Sequence, residues 1–506
     1  MAMPMSYSDH VLSRRIAETL FLPPDSPAIE YDQVWRTWGE LGAAAWRIRG
    51  FVTAHPVGRR QIGILLHNRP EQVAALLGVL LGGGTVVVIN PSRGEDRTRA
   101  DITASHLPLI IGAPDDLAHL VTPAPGSATL AITDLGADPH LSTTAGRGHH
   151  SGTAQSGVAV RMLTSGTTGP PKRIDITYDM LARSVIGRDP ESTPAPARPR
   201  SGVAIVNAPL VHIGGLFRIL QCITEARPFV LLPRFQLEPW ARAVRTHRPK
   251  AVSLVPAAVR AVLHSDLTSD DLSSIRVVTS GTAPLSAEDA DAFHEKFGIP
   301  ILTTYAATEF GGGVAGWTLA DHRKYWDAKR GSVGRASGGA RLRVVDEDGT
   351  VLPPDRPGLL EVAPGQLGPS ADWMRTTDLA RIDDDGFLWI LGRADQAIIR
   401  GGFKIMPDDV RNALERHPDV AGAAVVSRPD ARLGEVPVAM VELRDSRTVT
   451  EADLSSYLRD RLAPYEIPAE IEIVPEIPRT PSGKADLTAV RGRLDESLHA
   501  RSSERR

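Results

Sequence analysis

A single cysteine, Cys222, stands among 506 residues. One thiol excludes an internal disulfide framework and any metal site built from several cysteines, and it fits a reducing compartment. Its place in the apolar run RILQCITEA reads as core filling rather than as a nucleophile. No sign of charge prevails: 57 Lys plus Arg stand against 60 Asp plus Glu. Neither nucleic acid nor an anionic membrane is favoured as a partner by that balance. Long hydrophobic runs are missing too. The longest, AALLGVLLGGGTVVVIN, is interrupted by Gly82, Gly83 and Gly84 and is too short for a membrane helix. The first residues, MAMPMSYSDHVLSRRIAETL, carry no basic region followed by an apolar signal stretch. These absences predict a soluble cytoplasmic protein, and aromatics at 5% do not change that. His149 and His150 have no companions at metal-ligand spacing and read as part of a solvated loop.

What is present is a large stock of apolar residues, 42% of the chain, enough for several domains with sizeable cores. Short β-branched runs alternate with helical patterns: QIGILLH, PEQVAALLGVLL, TVVVIN; then GVAIVNA, GGLFRILQCITEA, PFVLLP, EPWARAVRTH, AVSLVP; then PAAVRAVLH, IRVVTS, SAEDADAFHEKF and PILTTYA. This order predicts βαβ units and largely parallel sheets, with ligands at the carboxyl ends of the strands. Two Gly/Ser/Thr/Pro-rich stretches, 142–157 and 187–202, read as mobile surface loops. From about residue 331 the pattern becomes short strands, with DEDG and DDDG as hairpin turns. After Arg393 a compact βαβ-like tail follows, and ESLHARSSERR reads as a frayed charged end. The boundary is placed near Asp395, giving an N-terminal domain over 1–394 and a C-terminal domain over 395–506.

The stretch LTSGTTGPPKRI (163–174) has the make-up of an anion cradle. Glycines let backbone N–H groups converge, hydroxyls add donors, and lysine adds a mobile positive charge. It does not fit a Walker A loop, because Lys172 follows Gly-Pro-Pro and leads into the strand-like RIDIT instead of a helix.

That loop resembles the phosphate-binding signature of the adenylate-forming superfamily, which includes acyl- and aryl-CoA synthetases. Six further motifs of that family occur in its order: PLVHIGG (209–215), SGTAPLS (280–286), TTYAATE (303–309), RTTD (375–378), GRADQAIIRGGFKIMPDDV (392–410) and PRTPSGKAD (478–486). The resemblance implies an α/β fold: a large N-terminal domain of βαβ-built sheets with a small barrel-like β subdomain, and a small mobile α+β C-terminal domain. It also implies a two-step reaction. A carboxylic acid attacks Mg-ATP to give an acyl-adenylate and pyrophosphate, and CoA then takes the acyl group and releases AMP.

The resemblance further assigns roles. Thr164, Ser165, Gly166, Thr167, Thr168, Gly169 and Lys172 would hold the β- and γ-phosphates. Glu309 would bind Mg²⁺, and Thr308 would donate to the α-phosphate. Gly281, Thr282 and Ala283 would pack the adenine, with Tyr305 stacked on its face. Asp378 would accept from the ribose hydroxyls with help from Arg393. Lys484 would reach the bridging oxygens in the first step. Rotation about Asp395 would then replace it with Gly401 and Gly402, which line a thiol channel, and with Lys404, which contacts phosphate or adenylate. His212 would gate the acyl pocket. A homodimer is common among such relatives.

Four departures from the family pattern stand out: Ala306 and Thr377 replace glycines, Arg173 follows Lys172 where glycine is usual, and the stretch between LLEV and RTTD is short. The last leaves a carrier protein or an amine open as the acceptor instead of CoA. Activation of nitrite for diazotisation and a catalytically silent nucleotide-binding role also remain as alternatives. The segment IGGLFRIL offers no acid for an α-ammonium, which favours an unaminated aryl or short-to-medium aliphatic acid, such as a secondary-metabolism enzyme would use.

Overall fold

Pro70 begins, and a run of buried residues fills, the helix Pro70–Leu81, which is surrounded by core on every side. It links the strands Gln61–Leu65 and Thr85–Ile89, which pair in parallel as the alternation predicts. The structure, a computed structural model, describes residues 8–54, 61–122, 124–145, 157–164, 172–400, 403–430, 432–444, 449–480 and 483–504.

Around that unit a seven-stranded sheet is built in the order His140–Thr143, Ala128–Ala131, Leu109–Gly112, Gln61–Leu65, Thr85–Ile89, Val158–Thr164, Lys172–Thr177. Its inner strands are parallel and its two edge strands antiparallel. A four-stranded sheet (Ala204–Val206, Phe229–Leu231, Pro27–Tyr31, Val34–Thr37) shares one apolar core with it, which includes Trp38, Ile64, Leu76, Leu220 and Phe229. A third sheet is parallel over Ala251–Ser253, Val277–Ser280 and Ile301–Ala307, then antiparallel through Gly312–Gly316 and Arg335–Ala336. The strands Arg341–Val345, Gly358–Ala363, Met374–Ile382 and Leu388–Arg393 form an antiparallel β subdomain. Both aspartate-rich turns close hairpins there: Gly349 N–H donates to the Asp346 carbonyl and Gly386 N–H to the Asp383 carbonyl.

The C-terminal part differs from the expected βαβ tail. AIIRGGFKI is a hairpin, Ile398–Arg400 against Phe403–Ile405, and Val420–Asp430 pairs antiparallel with Gly434–Leu443. Among the described residues of this part, only Gly434–Leu443 and Ile471–Val474 are parallel, joined through the helix Glu451–Arg459. Alternating apolar runs look alike in hairpins and crossovers, and the short Gly401-Gly402 and 431–433 connections decide for hairpins.

The stretch 187–202 also departs from expectation. Arg15, on the first helix Val11–Leu20, is buried and donates to the Thr193 carbonyl, and Arg14 pairs with Glu191, so this loop is fastened to the body. Residues 142 and 143 end a strand, whereas His149 and His150 lie outside the described residues. Among the described residues, no helix is long and apolar enough to cross a membrane. Cys222 is 1% exposed, and burial pushes its thiol up to about 11, as expected of core filling.

Candidate active site

The strands Val277–Ser280 and Ile301–Ala307 run parallel, with Ser280 opposite Thr303, so their carboxyl ends deliver two chain segments side by side. The first is Gly281, Thr282 and Ala283. A Cβ on Gly281 would lie 2.6 Å from Thr304 Oγ1, so this loop lies against the neighbouring strand too closely for any side chain there. Thr282 takes φ +71°, a left-handed conformation uncommon for a β-branched residue and typical of functional turns. The second segment carries Tyr305 and continues into the 3₁₀ turn Thr308–Phe310, which leaves Glu309 exposed. Ala306, one of the departures, sits at a pairing irregularity opposite Gly313.

The antiparallel β subdomain supplies the next group. Asp378 and Arg393 are direct partners across the strands Met374–Ile382 and Leu388–Arg393. Tyr305 donates its phenolic hydroxyl to Asp378 Oδ2, joining the third sheet to the subdomain. Burial raises the Asp378 carboxyl above its ordinary value, while Tyr305 and Arg393 draw it down. Burial raises the Tyr305 phenol, with the Asp378 charge acting in the same direction. The Asp378 backbone N–H bonds to Thr376 Oγ1 at 3.1 Å, fixing the carboxylate's stem. Thr377, the replacement for glycine, is not idle: its Oγ1 accepts from Arg393 at 2.6 Å. Arg393 also makes a two-pronged pair with Asp395, at 3.0 and 2.9 Å.

His212 caps the helix Ile213–Thr224 without a side-chain capping bond. That helix can start there only because residue 215 is glycine, since a Cβ would lie 2.1 Å from the Pro209 carbonyl oxygen. His212 Nε2 is buried and has no hydrogen-bond partner among the described residues. Burial, aided by the positive charge of Lys484, depresses its imidazole to about 4. His212 is therefore neutral across the physiological range.

Lys484 comes from the C-terminal part, in a tight turn closed by Thr480 N–H to the Lys484 carbonyl (2.7 Å) and Gly483 N–H to the Thr480 carbonyl (2.8 Å). The turn touches the body: a Cβ on Gly483 would stand 3.6 Å from Val255 Cγ2. The side chain keeps an exposed surface but is closely surrounded by protein. That crowding lowers the ammonium below its ordinary value, Arg393 acts in the same direction, and Asp378 and Glu309 oppose it. Four residues far apart in sequence, His212, Glu309, Asp378 and Lys484, thus share one electrostatic neighbourhood with Arg393.

Not every expected residue can be placed. Ser165, Gly166, Thr167, Thr168 and Gly169 lie outside the described residues, as do Gly401 and Gly402. The backbone partners Thr164 and Lys172 face each other at the open end of a hairpin, so the loop leaves and returns at one point of the sheet edge. This strand–loop–strand setting agrees with the failed Walker A match. Arg173 turns outward, and its guanidinium reaches Ser105 Oγ at 3.2 Å, which explains why this departure from glycine fits. The backbone of Lys404 lies in the strand Phe403–Ile405.

The shortened stretch after LLEV folds into the 3₁₀ turn Gly365–Leu367, and its Gln366 is buried with Nε2 donating to the Gly313 carbonyl at 2.8 Å. Gln366 was not foreseen; an isolated glutamine in a loop carries no sequence signal. Among the described residues, no cluster of three metal-ligating groups exists. A divalent ion here would bind Glu309 together with phosphate and water oxygens, the arrangement Mg²⁺ favours.

The model of the family described as AMP-binding enzyme matches residues 17–367, and that of the AMP-binding enzyme C-terminal domain matches 409–484. The 4-coumarate–CoA ligase of Vanilla planifolia is 31% identical over 86% of this chain and 84% of its own. The indoleacetate–CoA ligase of Aromatoleum aromaticum is 29% identical over 95% of this chain and 97% of its own. Among solved structures, o-succinylbenzoate CoA synthetase from Bacillus subtilis, in complex with an acyl-adenylate intermediate, superposes with a TM-score of 0.75. It is 25% identical and is matched over 96% of this chain and 98% of that one. With these matches and the α/β architecture, the chain belongs to the AMP-binding enzyme family.

Proposed function

We propose that this AMP-binding ligase joins a carboxylic acid to ATP, releasing pyrophosphate, and then passes the acyl group to the thiol of CoA, releasing AMP. The observation that carries the reading is the turn bearing Lys484, from the C-terminal part, set against Val255 of the body, where the lysine feels the charges of Arg393, Asp378 and Glu309 and itself acts on His212. A scaffold that merely bound a nucleotide would not need a crowded lysine within the field of a metal-suited carboxylate.

In the first step an acid oxygen bonds to the α-phosphorus and the bond to the pyrophosphate oxygen breaks. Negative charge gathers around the phosphorus, so positive groups and donors fixed beforehand lower the barrier. Lys484 supplies the charge on the bridging oxygens and Thr308 a hydroxyl donor. Lys172 and the hydroxyls of 164–169 hold the β- and γ-phosphates, and Glu309 takes Mg²⁺. Asp378 accepts from the ribose, with Tyr305 and Arg393 fixing its carboxylate, and Gly281, Thr282 and Ala283 border the adenine. In the second step the CoA sulfur bonds to the acyl carbon and the acyl–phosphate bond breaks. The part from 395 onward swings about Asp395, withdrawing Lys484 and bringing Gly401, Gly402 and Lys404 to the thiol. This assignment makes 1–394 and 395–506 the two moving bodies.

His212, neutral and with its Nε2 without a hydrogen-bond partner among the described residues, borders the acid. The first turn of its helix carries no acidic residue to receive an α-ammonium, and Phe217 follows on the same helix. With relatives acting on 4-coumarate and indoleacetate, an unaminated acid bearing an aromatic ring fits best. The reading places the enzyme in the cytoplasm, consistent with a lone buried thiol.

ATP–pyrophosphate exchange across aromatic and aliphatic acids, followed by CoA-dependent AMP release with the best acid, tests this. Exchange and thioester formation are expected. Exchange without a thioester would replace CoA by another acceptor, and no exchange with any acid would overturn the reading.

A further inference from the structure

The helix Pro256–Leu263, one of the helical runs in the alternating pattern, touches the C-terminal part twice. At its start, Val255 meets the turn that carries Lys484. One turn further on, Arg260 binds Glu415 through both terminal guanidinium nitrogens, at 3.2 and 2.7 Å. Glu415 is the last residue of the helix Pro407–Glu415, and its Oε1 also accepts from Ala423 N–H at 3.4 Å, which ties it to the C-terminal sheet. Arg260 is anchored on the body side as well, by Nε to Asp289 Oδ2 at 2.7 Å.

This three-member cluster differs from the other charges that meet across the same contact. The side chains of Arg260, Asp289 and Glu415 are only 15, 19 and 11% exposed, whereas the neighbouring Arg416–Glu288 pair is 56 and 49% exposed. Exposed pairs contribute little, but a shielded guanidinium with a two-pronged carboxylate fixes distance and angle together. Burial alone would disfavour the guanidinium charge, and Glu415 and Asp289 outweigh it. Removing either carboxylate would leave a shielded cation short of partners, so the cluster holds only while Glu415 stays in place.

We propose that Arg260, gripped by Asp289 and closed on Glu415, is a positioning residue that docks the C-terminal part so that Lys484 is held near Glu309, Asp378 and Arg393. Arg260 acts through Lys484 and touches no substrate. The inference rests on the proposed two-step reaction, in which Lys484 serves adenylation alone. The cluster therefore favours the first step, and its opening accompanies the second.

Arg260→Met and Glu415→Gln test it, each assayed for ATP–pyrophosphate exchange with 4-coumarate or the best acid found. The same variants are assayed for thioester formation from supplied acyl-adenylate and CoA. Exchange should fall at least tenfold in both variants while thioester formation stays within twofold or rises. Arg260→Lys should recover part of the exchange. In a Lys484→Ala background, Arg260→Met should lower exchange no more than twofold further, since residues acting as one unit do not add. Equal loss in both half-reactions would reduce the cluster to a support of the fold and overturn the proposal, as would unchanged exchange or a full additional loss without Lys484. Failure of the unmodified enzyme to exchange with any acid would instead contradict the two-step reading beneath it.

Discussion

Tyr305 and Asp378, 73 positions apart, are joined by a hydrogen bond from the phenol to the carboxylate. The bond spans two sheets, from the strand Ile301–Ala307 of the third sheet to the antiparallel subdomain in which Asp378 pairs with Arg393. Tyr305 therefore orients the carboxylate assigned to the ribose, beyond whatever contact its ring makes with the base. A hydrogen bond to a charged group contributes about 1.5–3 kcal/mol. Tyr305→Phe should raise the KM for ATP about tenfold or more in pyrophosphate exchange, with a smaller change in kcat.

His212 and Lys484 make the site sensitive to pH in opposite directions. The folded imidazole of His212 titrates near 4, below the 6.5 of a free histidine, so as pH falls the unfolded chain takes the proton first. The stability tied to neutral His212 is complete above about pH 6.5 and is lost as pH falls toward 4, on the order of 3 kcal/mol. Urea unfolding of His212→Asn should show a flatter dependence over that window than the unsubstituted chain.

Lys484 is held below the ordinary lysine value by crowding and by Arg393, so its charge is lost earlier on the alkaline side. The rate of pyrophosphate exchange should decline at lower pH than a free lysine would dictate. In Lys484→Arg, whatever activity survives should lose that decline, because a guanidinium stays charged.

Gly214 and Gly215 are neighbours with opposite tolerance. A Cβ on Gly214 meets nothing within 4 Å, whereas one on Gly215 would stand 2.1 Å from the Pro209 carbonyl oxygen. Gly215→Ala should lose about 1–3 kcal/mol in chemical denaturation and displace His212. Gly214→Ala should unfold like the unsubstituted chain.

Cys222, buried and with its thiol raised to about 11, should resist alkylation by iodoacetamide at pH 8 in the folded chain and react once unfolded. Rapid labelling of the folded form would contradict its placement in the core.

Much of the body was legible because its runs are long and their periods differ: Gln61–Leu65, Pro70–Leu81 and Thr85–Ile89 match the sequence reading almost residue for residue. The C-terminal part was less so. A strand such as Gly434–Leu443 has the same composition whether its partner is parallel or antiparallel, and only the connections and register decide. In the site, motifs marked Asp378, Glu309 and Lys484, but not that Thr377 would hold Arg393 or that Tyr305 would grip Asp378. Those bonds depend on how sheets meet, as does the pairing of Arg260 with Glu415 over 155 positions. Charged residues on helices read as solvated surface until a second helix covers them.

The central claim is that Lys484 serves adenylate formation alone, and it is tested most directly in Lys484→Ala by assaying the two half-reactions separately. Pyrophosphate exchange should fall by on the order of a hundredfold or more, the scale of a lost preorganised charge, while thioester formation from supplied adenylate stays within a few fold. Equal loss in both half-reactions, or exchange that survives, would contradict it.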